Sequence, residues 1–196
     1  MNTGIMILAA GNSSRLGKPK QMLGFKGRTL LATIIAAAEA TACEPVVLVL
    51  GAFAQEILTA HQNLNINHII NDSWQQGMST SISAGLAKIA DLDPTIENVI
   101  IAVADQPFIT PAIFEALVTE KESSGKNIVG SRYAETIGTP VLFNKQYFKE
   151  LMSLKGDSGA KQIIKVNSED VTTVAFELGN IDIDTETDYH NLTNPQ

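Results

Sequence analysis

Basic residues, hydroxyls and small residues gather in one stretch near the start of the chain, Leu8-Ala-Ala-Gly-Asn-Ser-Ser-Arg-Leu-Gly-Lys-Pro-Lys20. Ala9, Ala10 and Gly11, following Leu8, are small enough to bring backbone against a ligand. Ser13 and Ser14 supply hydroxyls, and successive N–H groups in such a turn form a nest for an anion. Arg15, Lys18 and Lys20 add positive charge suited to a triphosphate. No Asp or Glu precedes Glu39, whereas Glu169, Asp170, Glu177, Asp182, Asp184, Glu186 and Asp188 follow Lys165 with no further Lys or Arg. The first end of the chain suits a polyanion, and the acids of the other end suit a cation or solvent.

Spacing excludes two common phosphate loops. Walker A has four residues between its glycines, but Gly11 and Gly17 enclose five, and Pro19 follows Lys18 where a metal-binding hydroxyl belongs. No Gly-x-Gly-x-x-Gly follows the first apolar run, so a dinucleotide-dependent redox enzyme has no support.

Among the acids, Asp105 directly follows Val99-Ile-Ile-Ala-Val-Ala104, a run with the character of a buried strand. A carboxylate there emerges at the strand's carboxyl end, where it is a hard oxygen ligand for Mg²⁺. Thr110 is the better cap for the helix at Pro111, which leaves Asp105 for that role. Asp182 and Asp184 are two apart in a run read as a short strand, so both face one side, and paired carboxylates repel unless a cation offsets them. The alternative is that one or both cap the helix beginning near Thr185. His61, His68 and His190 lack metal-ligand spacing and read as surface or packed residues. Trp74 and Tyr189 read as packing residues.

Positioning these groups falls to elements that alternate. Apolar runs at Gly4–Ala10, Pro45–Leu50, His68–Ile70 and Val99–Ala104 read as parallel strands covered on both faces. Helix-length segments lie between them at Thr29–Ala40, Ala52–Ala60 and Ser79–Ile89, and another opens at Thr110-Pro111. The pattern predicts an α/β fold: a doubly wound, mostly parallel sheet in a three-layer α/β/α sandwich, with ligands at the carboxyl ends of the strands. Further on, Asn127–Val129 and Val141–Phe143 read as strands joined by a hydrophilic connection from Tyr133 to Thr139. Helices are expected over Lys145–Leu151 and Asp157–Lys165, strands over Val171–Phe176 and Ile181–Ile183, and a closing helix from Thr185. Gly138-Thr139-Pro140 reads as a tight turn, and Gly156-Asp157-Ser158 as a capped helix start whose free N–H groups could bind a phosphate. No linker or repeat interrupts the 196 residues, which predicts a single domain over 1–196.

Hydrophobic residues make up 44% of the chain and charged residues 18%, a globular balance. The net charge of −7 argues against general nucleic-acid binding. No apolar run reaches the roughly 18–20 residues that span a bilayer. A single cysteine, Cys43, forms no internal disulfide and reads as a packed thiol, and with no signal-peptide pattern the expectation is a cytoplasmic protein.

Leu8 to Lys20 fits Leu-Ala-Ala-Gly-x-Ser-x-Arg-x-Gly-x-x-Lys without a gap and resembles the signature of the molybdenum cofactor cytidylyltransferase family. Gly77-Met-Ser-Thr-Ser81 with Gly85, Asp105-Gln-Pro107, Gly138 to Phe143, Gly156 to Lys161 and Asp182 to Thr185 occur in that family's order. The resemblance implies a nucleotide-diphospho-sugar-transferase-like fold and transfer of CMP from CTP to a molybdopterin-type phosphate, with Mg²⁺ and release of pyrophosphate. It implies Arg15, Lys20 and Asp105 as catalytic residues and a metal held by Asp105 with Asp182 or Asp184. Nucleotide contacts would come from Leu8, Ala9, Ala10, Gly11, Ser13, Arg15, Lys20, Gly77, Ser79, Ser81 and Asp105. Acceptor contacts would come from Gly138, Thr139, Pro140, Asp157, Ser158 and Lys161. In the family, Ala10 goes with CTP and a glycine in its place with GTP. Two positions depart: Thr139 stands where histidine is usual, and Lys161 where arginine is usual. The other readings are a cytidylyl- or uridylyltransferase acting on a sugar or polyol phosphate, and a carrier of finished cofactor. A molybdoenzyme is the implied protein partner.

Overall fold

The computed structural model describes residues 2–62 and 65–194. In chain order the strands are β1 (Thr3–Ala9), β2 (Gly24–Phe25), β3 (Arg28–Thr29), β4 (Val46–Leu50), β5 (Asn67–Ile70), β6 (Asn98–Val103), β7 (Ile128–Tyr133), β8 (Thr136–Asn144) and β9 (Val171–Ala175). The helices are α1 (Leu30–Glu39), α2 (Ala54–Ala60), α3 (Met78–Leu92), α4 (Pro111–Ser124), α5 (Phe148–Ser153), α6 (Lys161–Val166) and α7 (Glu186–Thr193). A seven-stranded sheet runs β5-β4-β1-β6-β8-β7-β9, and β2 and β3 form a separate hairpin. β1 pairs parallel with β4 and β6, β4 with β5 and β7 with β9, while β8 is antiparallel to both its neighbours. The mostly parallel, doubly wound expectation holds.

The apolar strands look continuous because both faces are covered. Ile5, Ile7, Leu48, Leu50, Ile100 and Ala102 pack with α1, α2 and α4 on one face. Met6, Leu8, Val47, Val49, Val99 and Ile101 pack with α3, α5 and α6 on the other. Successive side chains alternate between two buried layers, so no polar residue breaks the run. From β1 the chain winds outward through β4 to β5, then crosses back to β6 on the far side of β1. That reversal opens a crevice at the carboxyl ends of β1 and β6. No helix among the described residues is long and apolar enough to cross a membrane.

Four local expectations need correction. The stretch from Tyr133 to Thr139 is a β-hairpin: β7 and β8 pair as far as Tyr133 and Thr136 around a turn at Ala134-Glu135. Its polar residues reflect an exposed hairpin tip rather than the absence of a strand. Gly138-Thr139-Pro140 lies inside β8, where the register jumps from Val141 opposite Gly130 to Gly138 opposite Ser131. Thr139 and Pro140 are the extra residues of this bulge, a place where proline's missing N–H costs no ladder bond. The helix expected from Asp157 begins only at Lys161, because Gly156 (φ 59°) and Gly159 disfavour helix in the preceding loop. Ile181–Ile183 is extended but joins no sheet.

Candidate functional site

Each site residue is fixed by a local tie. After β1 the loop turns tightly, with Leu16 and Gly17 donating to the carbonyl of Ser13, which adopts φ 48°. Ser13 Oγ accepts from the Lys20 N–H at 3.1 Å, so this hydroxyl shapes the loop. Leu16 anchors it in a small core with Leu23, Leu30 and Ile183, and Gln21 Nε2 donates to Ala9 O at 2.9 Å. Lys20 is thereby carried back over the end of β1.

Opposite stands Asp105, just past β6. Lys20 Nζ donates to Asp105 Oδ2 at 2.5 Å and to Asp184 Oδ1 at 2.8 Å. Arg15, with its side chain 68% exposed, pairs with Asp184 Oδ2 at 2.6 Å. Ligand oxygens of Asp105, Asp182 and Asp184 lie within 4.8 Å of one another. Although Ile181–Ile183 is not a strand, its alternation survives: Ile183 is fully buried between the two acids, and its N–H donates to Asp105 O at 3.3 Å. The helix-capping alternative fails, because Thr185 caps α7 in a reciprocal box with Asp188.

The electrostatics separate the acids. Hydrogen bonding from Lys20, with the charges of Lys20 and Arg15, holds Asp184 below the usual carboxylate range. Asp182 is pushed upward by burial and by the charges of Asp105 and Asp184. Burial disfavours the Lys20 ammonium, but its contacts with Asp105 and Asp184 outweigh that and raise its pKa. Asp105 Oδ1 is buried with no hydrogen-bond partner among the described residues. Mutually repelling hard oxygen donors, one of them unsatisfied, fit a divalent cation such as Mg²⁺ or Mn²⁺.

Two cavities meet here. One, of about 370 Å³, is walled by the end of β1, Lys20, Gly77, Ser81 and Asp105. The second, of about 470 Å³, is walled by Tyr133, Gly138, Thr139, Lys161, Asp105 and Asp182. Leu8, Met78, Val103, Asp105 and Asp157 border both. The first holds the expected nucleotide contacts Leu8, Ala9, Ala10, Gly11, Lys20, Gly77, Ser81 and Asp105, but Ser13, Arg15 and Ser79 do not line it. Gly77 holds the cap position of α3, and Ser79 is buried in the helix's first turn. The second cavity holds the expected acceptor contacts Gly138, Thr139, Asp157 and Lys161, without Pro140 or Ser158.

The bulge in β8 shapes that second cavity, and its carbonyls are claimed by side chains. Ser131 Oγ donates to Pro140 O at 2.7 Å, and Gln106 Nε2 donates to Thr139 O at 3.0 Å and to Gly179 O at 2.8 Å. Gln106 therefore ties the end of β6 to the bulge and to the loop leading to Asp182. Gly138 leaves room for the Tyr133 hydroxyl, which a Cβ there would meet at 2.0 Å and have to displace. Burial raises the Tyr133 phenol, against hydrogen bonding with Thr139 that lowers it. The sequence assigned no role to Gln21 or Tyr133, nor to Gln106 within the motif Asp105-Gln-Pro107. The glutamines directly follow Lys20 and Asp105, and that adjacency was the available signal. Trp74, read as packing, is half-buried in the wall of the first cavity instead.

Comparison with known proteins places the chain in a family. The family model of the MobA-like NTP transferase domain matches residues 5–172. The chain is 31% identical to a nicotine blue oxidoreductase of Paenarthrobacter nicotinovorans over 83% of this chain and 81% of that one. It is 27% identical to the molybdenum cofactor cytidylyltransferase of Escherichia coli K12 over 94% of this chain and 92% of that one. Among solved structures, Rv0371c of Mycobacterium tuberculosis H37Rv superposes with a TM-score of 0.84 at 27% identity, covering 98% of this chain and 97% of that one.

Proposed function

The chain belongs to the MobA-like NTP transferase family, and from that premise we propose that it moves CMP from CTP onto the phosphate of a molybdopterin-type acceptor with Mg²⁺. The observation that carries the reading is the meeting of two cavities at Asp105, with Lys20 and the acid cluster at their junction. One cavity takes the nucleotide and the other the acceptor, so the α-phosphorus and the attacking oxygen come together where they join.

The acceptor phosphate is already a nucleophile near neutral pH, so the protein supplies position and charge rather than a base. An acceptor phosphate oxygen bonds to the α-phosphorus of CTP. The bond from that phosphorus to the bridging oxygen breaks, and the electron pair leaves with pyrophosphate. Lys20 and Arg15 offset the negative charge that collects on the leaving group. Asp105 with Asp182 and Asp184 would hold the divalent ion, which when bound neutralises phosphate charge. Ala10, in the wall of the nucleotide cavity, supports cytosine through the family pattern. Tyr133, Thr139 and Lys161 offer the acceptor two hydroxyls and a cation.

One relative bears the name of an oxidoreductase. A hydride transfer has no use for three converging carboxylates fit for a divalent cation, which favours group transfer here. The test is pyrophosphate release with Mg²⁺ and molybdopterin cofactor, comparing CTP, GTP, UTP and ATP. Release with CTP alone supports both donor and acceptor. If CTP raises the melting temperature but no pyrophosphate forms, the acceptor is rejected. Thr139, which stands where the family usually has histidine, then favours a sugar or polyol phosphate.

A further inference from the structure

Lys20 makes a close contact that phosphate binding alone does not explain. Its ammonium sits between Asp105 and Asp184, at 2.5 and 2.8 Å, and these are two of the three carboxylates that converge. Its side chain is only 19% exposed, and that of Asp105 only 15%, so solvent screens the contact weakly. The same residue lines the nucleotide cavity.

We infer that Lys20 is a built-in counter-ion of the acid cluster that competes with a divalent cation for Asp105 and Asp184 and is released toward the triphosphate when the cation binds. The inference rests on the transferase reading and adds a coupling to it. Holding Lys20 on the carboxylates keeps it from the phosphates; freeing it supplies a cation to the nucleotide cavity at the moment the acids acquire their own. Metal and nucleotide then favour each other's binding, and linkage makes that coupling reciprocal. Arg15 is less suited to this exchange, because among the described residues it pairs with Asp184 and not Asp105, and it is largely exposed.

The experiment is a titration of EDTA-stripped full-length protein with Mn²⁺ alone, following the loss of the free-ion electron paramagnetic resonance signal. Lys20→Met should bind Mn²⁺ at least about tenfold more tightly than wild type, because a charge competing at contact distance is gone. Lys18→Met is the control: it removes an equal charge nearby, but Lys18 pairs with Glu186 at 2.8 Å rather than with the cluster. It should stay within about twofold of wild type. Lys20→Gln repeats the test should the methionine variant fold poorly. Weaker or unchanged Mn²⁺ binding in the Lys20 variants, or an equal gain in Lys18→Met, overturns the inference. If wild type binds Mn²⁺, Asp105→Asn abolishes that binding and Lys20→Met brings no gain, the inference falls while the metal site stands. If neither wild type nor Lys20→Met binds Mn²⁺, the metal site and the inference fall together.

Discussion

Gly77→Ala tests how the two cavities are held against each other. Gly77 begins α3 with φ 107° and ψ 174°, a region open essentially to glycine alone and costing other residues about 1–3 kcal/mol. A Cβ there would lie 2.2 Å from Gly156 C, 2.3 Å from Gly156 O and 2.7 Å from Asp157 N. These are backbone atoms, so no side-chain rotation relieves the overlap. Overpacking of this kind adds roughly 1–3 kcal/mol, so the total is about 2–6 kcal/mol. For a chain of this size each kcal/mol lowers Tm by about 2–4 °C, so the expected loss is roughly 4–24 °C by calorimetry. Because the displaced Asp157 borders both cavities, kcat/KM for pyrophosphate release should fall as well, even at temperatures where the variant is folded. Gly11→Ala is the contrast, since a Cβ there meets nothing within 4 Å; it should melt like wild type while weakening nucleotide binding. A Gly77→Ala protein that melts within a degree of wild type and turns over normally would refute the reasoning.

Asp105→Asn should lower turnover by about 10²–10³ with the fold retained; near-normal rates in Mg²⁺ would remove Asp105 from the mechanism. Ala10→Gly should relax the preference for CTP over GTP by about tenfold, the scale on which one small contact discriminates. Unchanged selectivity in kinetic competition would mean that the base is read elsewhere. Asp182→Asn should raise the Tm of EDTA-treated protein at pH 7. The folded pKa of Asp182 is raised by burial and by neighbouring acids, so its contribution is fully present below the unfolded carboxylate value and lost as pH rises through the folded one. The advantage of the variant should therefore shrink as pH falls toward 4; a constant or reversed difference across that range would contradict this account.

Much of this arrangement is legible in the chain before any coordinates. The buried strands announce themselves because both faces need apolar side chains, and Asp105 is marked by its place directly after one of them. Asp182 and Asp184 are paired correctly although the segment is not a strand, because extended backbone alternates whether or not it joins a sheet. The bulge at Thr139-Pro140 escapes sequence reading, since it depends on the register between β7 and β8, which local composition does not encode. The late start of α6 follows from two glycines whose helix penalty outweighs the capping pattern of Asp157 and Ser158. Gln106 shows what kind of residue is hidden: its neighbours are Thr139 and Gly179, and only the fold brings those together. Trp74 is hidden too, because an aromatic in the wall of a cavity and one in the core look alike in sequence.

The central claim is attack at the α-phosphorus, and isotopic labelling tests it most directly. Incubated with Mg²⁺ and molybdopterin, CTP labelled at the α-phosphate should pass its label to the acceptor, and CTP labelled at the γ-phosphate should yield labelled pyrophosphate. Transfer of the γ-label to the acceptor, or release of the α-label only as free CMP, would contradict the account.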